Sequence, residues 1–404
     1  MDGGNYRACA LTFDKNTPMT KRSLSFLSLL LLLVGSIAPA GAQSTHPYPK
    51  SYFLLAGTYG PADSNSIFVY RFNPSTGGAR WVGAVKGIEN PSFINFSPDH
   101  RFLYAVSETH GGKGGSVFAY SFNRNSGALR VLNSQLSQGD DPCNITTDHT
   151  GRWLFVANYS SGSFTLFPLG KDGRIGPASR NIQDHGHGFN PQRQEGPHVH
   201  CVLVAPNNRD VFVSDLGLDR LFTYELDPAT GHLVAGNPPY ATVVPGRGPR
   251  LPIFSNDHRY VYLIQEMGGT ITQFDYHSGK LTTVATVSTI PAGYSGTFTG
   301  ADLHCSPDGK FLYASNRDAL NDLVWFRIDP KNGHLSFAGS TSSLGKTPRY
   351  FLITPDGRFV LVGHQNSGDI VVFRRDVRTG NLTPTPERIP VAHAVCLQLV
   401  PEGS

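Results

Sequence analysis

The sequence predicts an all-β protein, a seven-bladed β-propeller closed by pairing of its C-terminal inner strand with its N-terminal blade. Three observations lead there. Paired apolar runs joined by a tight polar turn recur about every fifty residues, the length of a propeller blade. An alternating strand followed by a glycine turn appears seven times. Glycine (44 residues) and proline (29) are spread along the chain instead of gathering in one tract, as many short strands joined by turns require.

The start of the chain stands outside this pattern. Lys21 and Arg22 precede an apolar run from Leu24 to Ala38, and Ala40-Gly41-Ala42 supplies the small residues a signal peptidase prefers. The run is too short to span a bilayer comfortably and no second one follows, so the expectation is export and cleavage after Ala42. Residues 1–42 are then a leader, and residues 43–404 a single propeller domain, periplasmic or secreted, with no membrane attachment after cleavage. No cysteine follows the cleavage site, which speaks against a lipid anchor. The residues before Met19 look unlike a signal peptide, which makes Met19 a candidate true start. Arg7, Lys15, Lys21 and Arg22 leave with the leader against Asp2 and Asp14, so the formal charge falls from +4 to +4 − 2 = +2. A nearly neutral surface carries no footprint for nucleic acid. With 39% hydrophobic and 16% charged residues, the remainder can bury a large core.

Blade by blade, the first run "YFLLAGTY" (Tyr52 to Tyr59) matches a second strand and lacks its first. Six hairpins follow: "FINFSPDHRFLYAVSE", "NITTDHTGRWLFVANY", "VLVAPNNRDVFVSDL", "PIFSNDHRYVYLIQE", "DLHCSPDGKFLYASNR" and "FLITPDGRFVLVGHQ". The residue three before the basic turn residue is Pro98, His149, Pro206, Asn256, Pro307 and Pro355, in steps of 51, 57, 50, 51 and 48. The missing first strand is "AVCLQLVPEG" (Ala394 to Gly403) at the far end, which predicts that the C-terminus completes the N-terminal blade and leaves no open sheet edge. Cys143, Cys201, Cys305 and Cys396 lie far apart in apolar runs without metal-type spacing, and read as buried thiols, not disulfides.

Register names the residues around the axis. In a propeller the inner strand of each blade starts, and the second strand ends, on one rim of the tunnel, because the two are antiparallel neighbours. Six positions before the marker stand Ser92, Cys143, His200, Arg250, Ala301 and Arg349, with Val395 in the last copy. Ten after it stand Glu108, Tyr159, Leu216, Glu266, Arg317 and Gln365, with Tyr59 in the first. His200, Arg250, Glu266, Arg317 and Arg349 come from four consecutive blades. Three guanidinium groups around one concave space call for an anion, a carboxylate or a phosphate.

The step of 57 exceeds its neighbours because of the loop "DHGHGFNPQRQEG" (Asp184 to Gly196), which lands on this rim as a potential lid. His198 and His200 enter the following strand two apart, as two metal ligands would, with His185, His187 and Glu195 near; no third ligand has a metal spacing, so no metal is expected. His200 shares its rim position with Arg250 and Arg349 and suits proton transfer. His198 suits a hydrogen bond to a neighbouring blade as well as it suits function. No Gly-x-Ser-x-Gly elbow or phosphate-cradling loop is present.

The segments "EGPHVHCV" (Glu195 to Val202), "GRGPRLPIFSNDHRYVYLIQE" (Gly246 to Glu266) and "SPDGKFLYASNR" (Ser306 to Arg317), in this order and register, resemble the seven-bladed lactonase family. That family includes the propeller-type 6-phosphogluconolactonases and the fungal carboxymuconate-cyclizing enzymes, and the resemblance covers nearly all of residues 50–402. It implies a rim site of a histidine, arginines and a glutamate, which fall on His200, Arg250, Glu266 and Arg317. The expected activity is lactone hydrolysis, with His200 as base, Glu266 orienting or balancing charge, and one or more of Arg250, Arg317 and Arg349 binding the anion and stabilising the oxyanion. Arg349, His198, Glu195, Glu108 and Gln365 are the expected substrate contacts. Expected partners are a small anionic lactone or sugar acid, with no cofactor, on a monomer or weak dimer. The leader departs from the family's cytoplasmic sugar-phosphate route and leaves the substrate open. Two alternatives share the site: a cycloisomerase of a muconate-like dicarboxylate, and a non-catalytic propeller that binds an anionic ligand or a protein.

Overall fold

The polar turn inside each repeated hairpin is locked by its own side chains. In Ser306–Phe311 the Ser306 hydroxyl donates to Asp308 (2.5 Å) and accepts from the Phe311 N–H (3.0 Å), while the Lys310 N–H donates to Asp308 (3.2 Å). The same set recurs around Asp99, Asp257 and Asp356. The fourth turn residue is left-handed in all six copies, His100, Gly151, Asn208, His258, Gly309 and Gly357, with φ between 57° and 70°. Short polar residues and glycine accept that conformation at least cost, which is why the turn reads so plainly in the sequence.

The computed structural model describes residues 48–111 and 114–403. The predicted leader, its cleavage site and the candidate start at Met19 lie outside the described residues. Among the described residues, twenty-eight strands form seven four-stranded antiparallel sheets, each ordered in sequence except the first. We number the blades from that first sheet. Its second strand, Tyr52–Thr58, pairs with the C-terminal Ala394–Pro401 as its inner strand, from Tyr52 opposite Pro401 to Gly57 opposite Cys396. The fold is the all-β, seven-bladed propeller the repeat predicted.

The core is divided into seven apolar clusters, and each lies between two adjacent blades. The cluster between blades 7 and 1 joins Tyr52, Leu54 and Leu397 to Phe359 and Leu361. The second strand is buried along its whole length in five blades and at every residue but the first, Phe102 or Trp153, in blades 2 and 3, as a strand covered on both faces must be. Cys143, Cys201, Cys305 and Cys396 are free thiols. Among the described residues there is no helix, and hence none long and apolar enough to cross a membrane.

Candidate functional site

A single backbone device aims the rim residues inward. In each inner strand of blades 3, 4, 5 and 7 the pairing register slips at one residue, and that residue is Cys143, His200, Arg250 or Arg349. In blade 6 the slip spans Ala301 and Asp302, and in blade 1 it falls on Val395. A β-bulge turns the extra side chain out of the strand's alternation, here toward the tunnel. Proline directly precedes Cys143, Arg250 and Arg349; lacking an N–H, it loses no ladder bond at a strand's first position.

A second device sets the partner rim residue beside the first. The N–H of each second-strand rim residue donates to the carbonyl two residues before the inner-strand one. The seven bonds are Tyr59–His393, Glu108–Asn90, Tyr159–Asp141, Leu216–His198, Glu266–Gly248, Arg317–Thr299 and Gln365–Thr347, 2.8–3.2 Å long. Asn90, Asp141, Thr347 and His393 accept these bonds from left-handed backbone (φ 45°, 51°, 59° and 56°), as does Gly248 (65°), so five of the seven blades share the conformation.

The rim encloses a cavity of about 390 Å³ lined by Tyr59, Glu108, Tyr159, His200, Arg250, Glu266, Arg317 and Arg349, among others. Below it the tunnel narrows to a void of about 20 Å³ that all seven inner-strand rim residues line. Arg250 is the hub. Its Nη1 donates to Nε2 of His200 (2.6 Å) and to Glu266, and its Nε donates to the Ala301 carbonyl (2.8 Å), so it ties blades 4, 5 and 6 together. Arginine can only donate, so His200 is neutral at Nε2 and carries its proton on Nδ1, which lies 4.0 Å from the Cys143 sulfur.

Electrostatics follow from burial and this pairing. Burial, then the Arg250 and Arg349 charges, hold the His200 imidazole well below its ordinary range, against the opposing pull of Glu266. Burial alone would raise the Glu266 carboxyl, but Arg317 and Arg250 outweigh it and hold it well below the usual carboxylate range. Arg317 meets Glu266 at 3.0 Å and the Gly300 carbonyl at 3.2 Å, and its buried Nε–H has no partner. Burial, and the nearby Arg250 and Arg349, push Arg317 down to about 10 against the pull of Glu266, so it stays charged at neutral pH. Arg349 lies over the Tyr59 ring (5.4 Å) and near Gln365 (3.5 Å), and makes no ion pair with Glu266. The Tyr59 hydroxyl donates to Glu108.

The nominated residues divide in two. His200, Arg250, Glu266, Arg317, Arg349 and Glu108 all face the cavity. His198 and Glu195 do not: His198 stacks on the outer face of Tyr159 (4.6 Å between ring centres) and holds Glu195 at 3.2 Å. Gln365 touches the site only through Arg349. Arg193, which the register could not name because it sits on the loop and not on a strand, reaches into the cavity and meets Glu266 (2.7 Å) and the Tyr159 hydroxyl (3.3 Å). Its signal was the loop's extra length. Thr299 and Asp318 also line the mouth. Among the described residues no group of three histidine, cysteine or acidic side chains converges as metal ligands do.

Comparison with known proteins points the same way. The family model described as a lactonase, 7-bladed beta-propeller, matches residues 53–399. A 6-phosphogluconolactonase of Formosa agariphila is 34% identical over 82% of this chain and 95% of its own length. One of Bacillus subtilis is 30% identical over 86% and 98%. Among solved structures, a periplasmic gluconolactonase of Pseudomonas aeruginosa, PpgL, superposes with a TM-score of 0.82 at 36% identity, covering 87% of this chain and all of its own. A putative 6-phosphogluconolactonase of Bacteroides fragilis gives 0.83 at 38%, covering 89% and 99%.

Proposed function

The chain belongs to the seven-bladed β-propeller lactonase family, and from that premise we propose that it hydrolyses a sugar-acid lactone at the His200 rim, with arginines holding the substrate's developing and resident negative charge. The observation that carries this reading is the hydrogen bond from Arg250 to Nε2 of His200 inside a four-arginine cavity. It couples a base to an electrophile. When the lactone carbonyl takes the Arg250 donor, Nε2 of His200 is released with its lone pair free. A water then adds its oxygen to the carbonyl carbon as its proton passes to Nε2, and the carbonyl oxygen becomes an oxyanion held by Arg250, with the Arg317 charge beside it. Collapse breaks the ring C–O bond, the imidazolium returns its proton to the leaving alkoxide, and the hydroxy acid departs.

Glu266 serves as counter-ion in this scheme. Its carboxylate is too weakly basic to take a proton from water, and it keeps Arg250 and Arg317 in register. Arg349, which lines both the cavity and the narrow void below it, is the cation left for the substrate's hydroxyl groups near the reacting carbonyl. The relatives named above act, by their names, on 6-phosphogluconolactone or a gluconolactone. Export is part of the reading: the leader pattern and the likeness to a periplasmic gluconolactonase support it, and a mature mass beginning at Gln43 checks it.

The test is hydrolysis of glucono-1,5-lactone and 6-phosphogluconolactone by His200→Ala, corrected for spontaneous opening. kcat is expected to fall roughly 10²–10⁴-fold with KM within about threefold. A kcat within tenfold of the parent removes His200 as the base. A muconate dicarboxylate in the same panel is expected to yield no product, and cyclisation of it would transfer the site to the other chemistry.

A further inference from the structure

The loop that made one repeat too long delivers a fourth arginine, and the lactonase reading gives it no task. Arg193 differs from Arg250, Arg317 and Arg349 in origin and in setting. Those three stand on rim positions of strands; Arg193 comes from the blade 3–4 connection and reaches Glu266 in blade 5. Its side chain is 41% exposed, against 7% for Arg250 and 10% for Arg317.

The loop behind it is fixed from within. Gln194 is fully buried; its side chain accepts from the Asn190 N–H (2.9 Å) and donates to the Leu216 carbonyl (2.8 Å), while its own N–H closes a turn onto Asn190 (2.7 Å). Gly188 and Gly217 lie so close that a Cβ on Gly188 would meet the Gly217 carbonyl at 2.4 Å. Arg193 therefore hangs from a rigid stub, and only its own rotamers are free.

Charge says what that freedom is for. Glu266 already holds two buried guanidinium groups on Oε2, and Arg193 adds a third positive charge through Oε1. Counting Glu108 and Asp318 as well, the cavity sets four guanidinium groups against three carboxylates, so one cation is left over for an incoming anion. The outermost ion pair is the one water screens, so it is the weakest and the easiest to exchange for another anion. The reacting carbonyl belongs beside His200 and Arg250 on the cavity wall, which leaves the mouth, where Arg193 sits, to the far end of the substrate.

We infer that Arg193 is a specificity-determining residue, which trades Glu266 for a negative group at the end of the lactone remote from its carbonyl. The substrate class is thereby narrowed to sugar lactones with a terminal anion, a carboxylate or a phosphate. This rests on the lactonase reading. The readout is a selectivity ratio, kcat/KM for an anionic lactone divided by kcat/KM for uncharged glucono-1,5-lactone. The two anionic probes are glucaro-1,4-lactone, which ends in a carboxylate, and 6-phosphogluconolactone. Arg193→Gln is expected to lower the ratio about tenfold or more for the matching anion, as loss of a charge-assisted contact does. Arg193→Lys should restore part of it. The probe with the larger loss identifies the anion, and a ratio unchanged for both overturns the inference, whatever happens to absolute rates.

Failure of the parent protein on all three lactones would sink hydrolysis alone. Calorimetric binding of gluconate, glucarate and 6-phosphogluconate then decides about Arg193. Arg193→Gln must weaken glucarate or 6-phosphogluconate by about tenfold more than gluconate, and equal weakening of all three refutes it.

Discussion

His200 is an unusual base because its basic nitrogen is already engaged. Burial and the guanidinium of Arg250 both oppose its protonation, so its folded pKa lies well below that of an exposed histidine. The sign for activity follows directly. The neutral, proton-accepting form persists as pH falls through the usual histidine range, near 6.5, and disappears only when pH drops through the depressed value. kcat/KM is therefore expected to stay flat from about pH 8 to below 6.5, with the acid limb lying under that point. Arg250→Gln removes one of the two largest causes of the depression and should move the limb upward even as the rate falls. A pH-rate profile measured on both proteins checks it; an acid limb at or above 6.5 in the parent, or one that does not move in the variant, contradicts the assignment. The same hydrogen bond shows why a residue's type alone was insufficient. His198 and His200 are the same residue two positions apart, yet the bulge at His200 turns one into the cavity while the other stacks behind Tyr159.

Strands and loops differ in how much of them the sequence could reveal. The rim register placed Glu266, Arg317, Arg250 and Arg349 in one sector because a repeated hairpin carries fixed offsets from its turn to its ends, and side-chain locks such as Ser306–Asp308 hold those offsets constant. The bulges were invisible, since a register slip depends on pairing between strands; the only trace was proline before Cys143, Arg250 and Arg349. Loop 184–196 obeys no register, so its length was readable and Arg193 was not. The base of that loop holds a second feature beyond the reach of pattern. Asp184 opens the loop and faces Asp215, which ends the second strand of blade 4; each has a buried Oδ2 with no other partner among the described residues. Burial, and then the charge of Asp215, raise the Asp184 carboxyl to about 8 against the weaker pull of Arg220, so one proton is shared between the two. Because the folded pKa is raised, the stabilisation is complete below the unfolded value of about 4 and is lost as pH climbs toward 8. Asp184→Asn keeps a donor for Asp215 and removes the titration. Its melting temperature should match the parent near pH 5 and exceed it by about 2 °C or more near pH 8.5. A parallel offset at both pH values would show that no proton is shared.

Convergence of the site depends on the ring being shut. Each blade contributes only one to three side chains to the cavity, and no two adjacent blades hold a complete set: His200 is on blade 4, Arg250 and Glu266 on 5, Arg317 on 6, Arg349 on 7 and Tyr59 on 1. Their spacing is set by the seven apolar seams, which bear load in a circle, so opening one seam relaxes them all. The seam most easily tested is the one made by the chain's two ends. Residues Ala394–Pro401 bury Ala394, Cys396, Leu397 and Val400 almost completely against blades 1, 2 and 7 and supply the whole inner edge of blade 1. Counting only Leu397 and Val400, at about 1.5–3 kcal/mol each, burial alone is worth some 3–6 kcal/mol. The lost backbone ladder and the cavity left beside Tyr52 and Phe53 add to that, in a protein whose net stability is of the order of 5–15 kcal/mol. Truncation after His393 should therefore leave no cooperative melting transition at 25 °C or above, and expose the Tyr52–Thr58 edge to intermolecular pairing. Supplying residues 394–403 as a separate peptide should restore both soluble yield and lactone turnover, since the strand's contribution is its surface and not its covalent link. A truncated chain that melts within about 5 °C of the parent would mean that the five untouched seams hold the ring open-ended, and that the site needs only blades 4 to 7.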